Sequence, residues 1–406
     1  MKSPLLHLLL PALLLLASAQ LPAADDENKH PLSEQVYQSL SSAREMLDKE
    51  DYRQAETTLI GLLQQDINPY ERALINQMLG YVYNAAGKRD QAAAAFSKAL
   101  ADNLLPENVM HDLRYSIAQL LAQEGKYKEA LDSLLHWFKT EKAPKAEAHL
   151  LAATIYYQLQ EYRNLTAHME QALRKTAKPE KSWYELLLAG YYQSGDFTHA
   201  AEVLERMMIL YPDHRDYWLQ LAGMYQNAGL PGRSLAVLEL ALRRGLLDEA
   251  GIMQVIRLRL HQHMPRQAAV LLEEQMDKGA IPRIRENIEL LAESWLLARE
   301  YDRATASFTD LATLTNDTAV YYRLGYVYFT QEKWDAARKA LETAVKGGAM
   351  KDKPDAWLLL GISAYHTNEI TGATRAFNQA LNHDSTRQQA QWWLNKLENR
   401  AGSGPG

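Results

Sequence analysis

The chain has no cysteine among its 406 residues, and this absence excludes several kinds of protein. Without thiols there is no disulfide framework, no thiolate metal site and no cysteine nucleophile. A lipoprotein carries its lipid on a cysteine, so we expect no lipid-anchored form. The net charge of −6 is mild for this length, which argues against a nucleic-acid-binding protein.

Sequence motifs that carry catalysis are also missing. The chain has no phosphate-binding loop, no dinucleotide fingerprint, no H-E-x-x-H motif and no G-x-S-x-G motif. Acidic pairs such as Glu273-Glu274 fall on predicted helix surfaces, without the enclosed pocket that acid–base catalysis requires. We therefore predict a non-catalytic protein that uses no cofactor and no metal.

The N-terminus has the three parts of a secretory signal peptide. Lys2 precedes an apolar run at 5–16, and an A-S-A tripeptide follows at 17–19. The run is shorter than the roughly 20 apolar residues that a transmembrane anchor needs. We predict that residues 1–19 are removed on export and that the mature protein is periplasmic.

The rest of the chain offers no boundary between globular domains. Residues 20–32, QLPAADDENKHPL, are predicted to be a disordered tether, and residues 401–406, AGSGPG, a flexible tail. Between them there is no linker rich in glycine, serine or proline. A long chain without linkers is typical of a repeat array.

Small or apolar residues recur at steps of 33 to 38 positions. We call these ten positions the anchors and number other positions from them. The anchors are Ala43, Gly80, Ala118, Ala153, Leu188, Ala222, Ile256, Ala292, Gly325 and Gly361.

Two fixed offsets from the anchors show that the recurrence is a true repeat. Eight of the ten residues at offset +12 are alanine, and all ten at offset +16 are large and apolar. The +12 residues are Ala55, Ala92, Ala130, Leu165, Ala200, Ser234, Ala268, Ala304, Ala337 and Ala373. The +16 residues are Leu59, Phe96, Leu134, Met169, Leu204, Leu238, Leu272, Phe308, Leu341 and Phe377.

Between these positions the apolar residues are spaced by three and four, which predicts helices. Gly87, Gly125, Gly195 and Gly229 lie where the first helix of a copy must turn. Each copy is therefore predicted to be two antiparallel helices, and the alanine at +12 marks their close crossing. Ten such copies are expected over residues 33–387.

In this pattern the sequence resembles the tetratricopeptide repeat (TPR) family. The resemblance is carried best by DAWLLLGISAY…A…F..AL at 355–381 and by DYWLQLAGMYQNAGLPGRSLAVLELAL at 216–242. It implies an all-α TPR solenoid, a right-handed superhelix of about ten antiparallel helix pairs. A capping helix is predicted at 388–400, where Trp392, Trp393 and Leu397 would cover the apolar end of the stack.

In the resembling family the first helices line a concave surface that receives ligands, which implies a peptide segment of a protein partner there. Aromatic residues at offsets +1 and +4, and one at −3, would point into it and are favoured interface anchors. The alternative is that these rings pack on one another between adjacent repeats. The candidates are Tyr81, Tyr157, Tyr192, Tyr322, Tyr326, Phe329 and Tyr365.

The seventh copy concentrates positive charge. Arg257, Arg259 and Arg266 crowd its first helix and turn, so an acidic partner could dock at Arg257. The alternative is a solvated face balanced by nearby glutamates. His261 and His263 could together ligate a metal, but without a third ligand in register they are more simply loop residues.

A closer resemblance concerns the exported TPR proteins that Gram-negative bacteria encode beside TonB–ExbB–ExbD systems. It is carried by residues 217–247, 286–304 and 391–398. The resemblance implies a periplasmic accessory of an energy-transducing system for outer-membrane uptake, with TonB–ExbB–ExbD components as partners. Two other functions stay open: a scaffold for outer-membrane or cell-wall assembly, and an accessory subunit of a cell-wall or polysaccharide enzyme.

One client class of the resembling family is not expected. Its members that clamp the acidic C-terminus of a chaperone place a lysine and asparagines on the concave face. No copy here has a lysine three before its anchor followed by an asparagine one after it.

Overall fold

The computed structural model describes residues 32–212, 214–347 and 353–402, and all regular secondary structure in these ranges is α-helical. The predicted signal peptide, almost all of the tether and residues 403–406 of the tail lie outside the described residues. The chain divides into two compact units, Met1–Pro212 and Asp213–Gly406. No described helix combines the length and apolar character that crossing a membrane requires.

The described residues form twenty-one helices. Those of the N-terminal unit are α1 Glu34–Asp48, α2 Tyr52–Leu63, α3 Pro69–Ala85, α4 Arg89–Leu100, α5 Glu107–Gln123, α6 Tyr127–Thr140, α7 Ala146–Gln158, α8 Tyr162–Arg174, α9 Lys181–Gln193 and α10 Phe197–Leu210. Those of the C-terminal unit are α11 Arg215–Asn227, α12 Pro231–Arg243, α13 Glu249–His261, α14 Pro265–Asp277, α15 Arg285–Leu297, α16 Tyr301–Thr315, α17 Thr318–Thr330, α18 Trp334–Ala344, α19 Lys353–His366, α20 Ile370–Leu381 and α21 Asp384–Gly402.

The helices form ten successive pairs followed by one last helix, as the repeat predicts. Within each unit the main packing joins helices that are one or two positions apart along the chain. Each pair therefore buries its apolar faces against its neighbours, because one pair alone cannot enclose them. The prediction of an all-α fold of helix pairs is confirmed.

The turn inside every pair has the same backbone geometry. The residue at offset +7 has φ between +57° and +77° in all ten copies, although only four of these residues are glycine. The N–H at +8 donates to the carbonyl oxygen at +3 over 2.8 to 3.0 Å, which is the Schellman ending of a helix. The six non-glycine residues adopt this left-handed conformation at some cost in free energy. They are Glu50, Gln160, His263, Arg299, Glu332 and Asn368.

The two diagnostic offsets form the centre of every helix pair. All ten residues at +12 are fully buried, and the ten at +16 are at most 1% exposed. Where the anchor is glycine, its missing side chain makes room for the +16 residue. A methyl group on Gly361 would lie 2.5 Å from Cε1 of Phe377, and one on Gly325 would lie 2.7 Å from Cγ of Leu341. Nine anchors are buried, whereas Leu188 is half-buried.

The last helix, α21, begins at Asp384, four residues before the predicted capping helix. Trp393 stacks on Phe377 with ring centroids 5.7 Å apart, and Leu397 is buried in the same apolar cluster. These two residues cover the end of the stack as expected. Trp392 does not, because its side chain is 57% exposed.

One +12 position departs from alanine in a way that predicts a gain in stability. Ser234 is fully buried, and its hydroxyl has no hydrogen-bond partner within the described residues. An unpaired buried hydroxyl costs about 1–3 kcal/mol. We expect Ser234→Ala to raise the free energy of unfolding of the C-terminal unit by about 1 kcal/mol, measured by urea denaturation.

Ser294 provides the matched control for this substitution. It is equally buried, but its hydroxyl donates to the carbonyl oxygen of Leu290 at 2.6 Å. Ser294→Ala should give no gain, because it removes a satisfied hydrogen bond. An equal gain from both substitutions would contradict the explanation.

Candidate binding surface

The residues at offset +1 lie at equivalent places on successive first helices of the C-terminal unit. On α13, α15 and α17 they are Arg257, Glu293 and Tyr326. Arg257 is exposed and Glu293 half-buried, and Tyr326 is 43% exposed. We call these three residues the +1 row. It presents a phenol ring, a carboxylate and a guanidinium group to solvent.

An ion-pair cluster fixes the middle of the +1 row. The guanidinium of Arg323, on α17, pairs with the carboxylate of Glu293 and lies 3.6 Å from that of Glu289, both on α15. Side-chain exposure of 36% to 44% keeps this cluster in contact with water, so its contribution to stability is small. Sequence reasoning missed the cluster. Its signal is a pair of glutamates at −3 and +1 followed by an arginine in the next copy.

The basic residues around Arg257 are mostly engaged in contacts within the unit. Arg259 pairs with Glu239 at 2.9 Å, and Arg266 pairs with Glu300 at 3.2 Å. Arg257 has no ion-pair partner in the described part of the chain. The structure therefore favours the solvated and balanced face for this copy, with Arg257 as the one unbalanced charge among these three arginines.

Three of the candidate aromatics at +4 pack inside their own repeat. Each meets, edge to face, the aromatic residue at +9 that begins the second helix. The ring centroids are 6.3 Å apart for Tyr157 and Tyr162, 5.9 Å for Tyr192 and Phe197, and 5.3 Å for Phe329 and Trp334. These contacts close the turn between the helices. Tyr192 nevertheless stays 48% exposed.

Tyr322, Tyr365 and again Phe329 contact the protein's own core. Tyr322 and Phe329 pack against the buried cluster around Leu341 and Leu360. Tyr365 contacts Trp393 of the last helix, with ring centroids 5.1 Å apart. For these residues the structure favours packing within and between repeats over a ligand groove.

Tyr81, at offset +1 of the second copy, is half-buried. Its ring meets Phe96 at a centroid distance of 5.2 Å, and its hydroxyl accepts from Nε2 of Gln77 at 3.4 Å. Burial raises the pKa of the Tyr81 hydroxyl, and the nearby Asp112 carboxylate adds to this effect. Tyr81 is therefore a neutral ring at physiological pH, and it packs on Phe96, the +16 residue of the same repeat.

The two histidines of the seventh copy do not form a metal site with other residues in the structure. His261 ends α13, and His263 occupies the left-handed turn position with φ of +58°. Among the described residues no group of three or more histidine, aspartate or glutamate side chains could hold a metal ion.

Two segments of the chain match a known protein family. Residues 77–137 and 322–390 match the family described as tetratricopeptide repeat. These two segments therefore match tetratricopeptide repeats. One matched segment of these repeats lies in each unit, and the second includes Tyr326 of the +1 row. No curated protein sequence matches the chain.

Solved structures with tetratricopeptide repeats are among those similar to the chain. A repeat protein from Parabacteroides merdae is 18% identical over 64% of this chain and 99% of that one, with a TM-score of 0.35. A chain of the Naa15/Naa10 complex bound to HypK-THB is 14% identical over 91% of this chain and 66% of that one, with a TM-score of 0.46. MamA protein is 20% identical over 43% of this chain and 91% of that one, with a TM-score of 0.34.

Proposed function

We propose that the protein is an exported, non-catalytic scaffold that binds a protein partner along the +1 row of its C-terminal unit. The observation that carries this proposal is the exposure of Tyr326. Among the eight candidates Tyr192 is also exposed but packs on Phe197, whereas Tyr326 combines 43% exposure with a neighbouring ion-pair cluster at Arg323. A ring of this kind, surrounded by polar groups, is a favoured centre for a protein interface.

The chemistry of the +1 row indicates what kind of segment it binds. Tyr326 offers an apolar face and a hydroxyl, whereas Arg257 and Glu293 offer charges of opposite sign at the equivalent places of two preceding repeats. A partner segment that places one apolar side chain on Tyr326 and charged side chains near Glu293 and Arg257 would contact all three residues of the +1 row. The charged positions then determine register and orientation more than affinity.

We further propose that this partner belongs to a periplasmic TonB-type energy-transducing complex. Support comes from the likeness of residues 217–247, 286–304 and 391–398 to exported repeat proteins encoded beside such systems. The structure places Trp218, Trp295 and Leu397 of these stretches in the core. They therefore specify the scaffold rather than the contact, and the partner is to be identified by binding.

We predict that Tyr326→Ala weakens binding of purified TonB–ExbB–ExbD components at least tenfold, about 1.4 kcal/mol, with little change in melting temperature. Phe329→Ala is the matched control, because Phe329 lies on the same helix and packs on Trp334 at 5.3 Å. Phe329 is half-buried, so this substitution should cost about 2 kcal/mol of stability and leave the affinity of the folded fraction unchanged. Affinity and unfolding are measured on the same preparations. The reverse assignment of the two effects would refute binding at Tyr326.

A further inference from the structure

The last helix of the C-terminal unit lines an open cleft that the scaffold function does not use. The cleft has a volume of about 970 Å³ and lies along α21 and the end of α20. Its lining consists of one indole, four carboxamides, one arginine, one aspartate and one leucine.

The indole of the cleft is held in place although it is largely exposed. Trp392 is 57% exposed, and Trp393 meets it edge to face at a centroid distance of 4.9 Å. The ammonium group of Lys396 lies 4.9 Å from its ring centre. Neither Trp393 nor Lys396 lines the cleft. The two contacts therefore orient the ring and leave the side toward the cleft for a ligand.

Four carboxamides line the same cleft as this ring: Asn382, Gln388, Gln391 and Asn395. Each amide has two N–H donors and an oxygen acceptor. Nε2 of Gln391 donates to Oδ1 of Asn395 at 3.0 Å, and Asn382 and Gln388 have no side-chain partner in the described part of the chain. An apolar protein segment laid over these groups would leave them unsatisfied, at a cost in free energy. A ligand rich in hydroxyl groups would pair with them.

The charges of the cleft cancel. Arg387 pairs with Asp384 at 2.6 Å, and its Nε also donates to the carbonyl oxygen of Leu381 at 3.4 Å. The lining of the cleft therefore carries no net charge, and the nearby ammonium group of Lys396 lies over the rings of Tyr365, Trp392 and Trp393.

We propose that this cleft binds a neutral saccharide. One face of a sugar ring carries C–H groups and stacks on Trp392, while the hydroxyls donate to and accept from the surrounding amides. A sugar therefore matches the indole with its flat apolar face and the four carboxamides with its hydroxyls. This site is independent of the +1 row and of the protein partner proposed for it.

The test is a titration of the full chain with cellotetraose, maltotetraose and N-acetyl-chitotetraose, and with tetragalacturonate as the anionic comparison. We expect saturable heat in calorimetry from at least one neutral saccharide, together with a shift of the Trp392 indole N–H resonance. Trp392→Ala should weaken binding at least tenfold, and Gln388→Ala severalfold. Leu314→Ala is the matched control, since Leu314 is also 57% exposed, and it should change nothing.

Several results would overturn the proposal. They are no binding of any neutral saccharide, equal binding of tetragalacturonate, or unchanged affinity in Trp392→Ala. A fourth is a concentration-dependent dimer that Trp392→Ala abolishes in the absence of any saccharide effect, which would assign the cleft to a second copy of the chain. Circular dichroism and thermal unfolding of each variant establish that the exposed substitutions leave the fold intact.

Discussion

Gly361→Ala is expected to destabilise the C-terminal unit by about 1–3 kcal/mol, although alanine is the better helix former. The reason is space. A methyl group at this anchor would lie 2.5 to 2.9 Å from three atoms of the Phe377 ring, and Phe377 is fully buried. The ring must shift into a core that has no room for it. Hydrogen exchange of α19 and α20 in the full chain measures the loss.

A second substitution should restore most of that stability. Three copies combine an alanine anchor with a leucine at +16, as in Ala118 with Leu134, and one combines an alanine anchor, Ala292, with a phenylalanine, Phe308. We therefore expect Phe377→Leu to be destabilising alone but to offset Gly361→Ala in the double variant. The two sites should show a coupling energy of about 1 kcal/mol or more. Strict additivity would mean that the glycine does not make room for the ring.

Acidification from pH 7 to pH 4.5 is expected to destabilise the N-terminal unit through a pair of facing histidines. Nδ1 of His149, on α7, lies 3.2 Å from Nδ1 of His168, on α8. Phe138 and Tyr156 contact the pair. Only one proton fits between the two nitrogen atoms, so charging both rings would place two N–H groups against each other.

The pKa values of both rings move in the direction that this geometry requires. Burial, with smaller effects of His168 and Lys175, lowers the pKa of His149 from 6.5 to about 4. Burial also lowers the pKa of His168. The unfolded chain therefore binds more protons than the folded chain below pH 6.5. The neutral His149 side chain therefore contributes its full stabilisation above pH 6.5, its pKa in the unfolded chain. As the pH falls toward 4 the free energy of unfolding decreases, by about 2–3 kcal/mol at pH 4.5.

His149→Asn should remove most of this pH dependence. Asparagine keeps a polar group on α7 but does not titrate. The exposed His136 of α6 is the matched control, and His136→Asn should leave the dependence intact. Hydrogen exchange of α7 and α8 between pH 7 and 4.5 measures it, and the His136→Asn control undergoes the same protonation of glutamates near pH 4.5. A flat profile in the unaltered protein would contradict the prediction.

The sequence predicts the core of this fold well because the core is periodic. The anchors and the +12 and +16 positions are identified by residue size alone, and Ala337 and Leu341 lie where the repeat requires them. Leu188 shows the limit. It keeps the register of the turn at Gly195 but is only half-buried.

The candidate site is less predictable because it depends on pairs of residues in different elements. Phe329 occupies a surface offset, but Trp334 at the start of the next helix covers it. Tyr326, three residues earlier, has no such ring after it and remains exposed. Trp392 and Trp393 are adjacent in sequence, yet only one faces the core, since helical residues one apart do not share a face.

Binding of a protein partner along the +1 row can be measured by site-specific photocrosslinking in intact cells. A photoreactive phenylalanine derivative replaces Tyr326, Arg257 or, as control, Val270 on the second helix α14, whose 45% exposure matches that of Tyr326. If a partner binds along the +1 row, positions 326 and 257 should give the same discrete protein adduct and position 270 should give none. No adduct at 326 and 257, or the same adduct from 270, would contradict it.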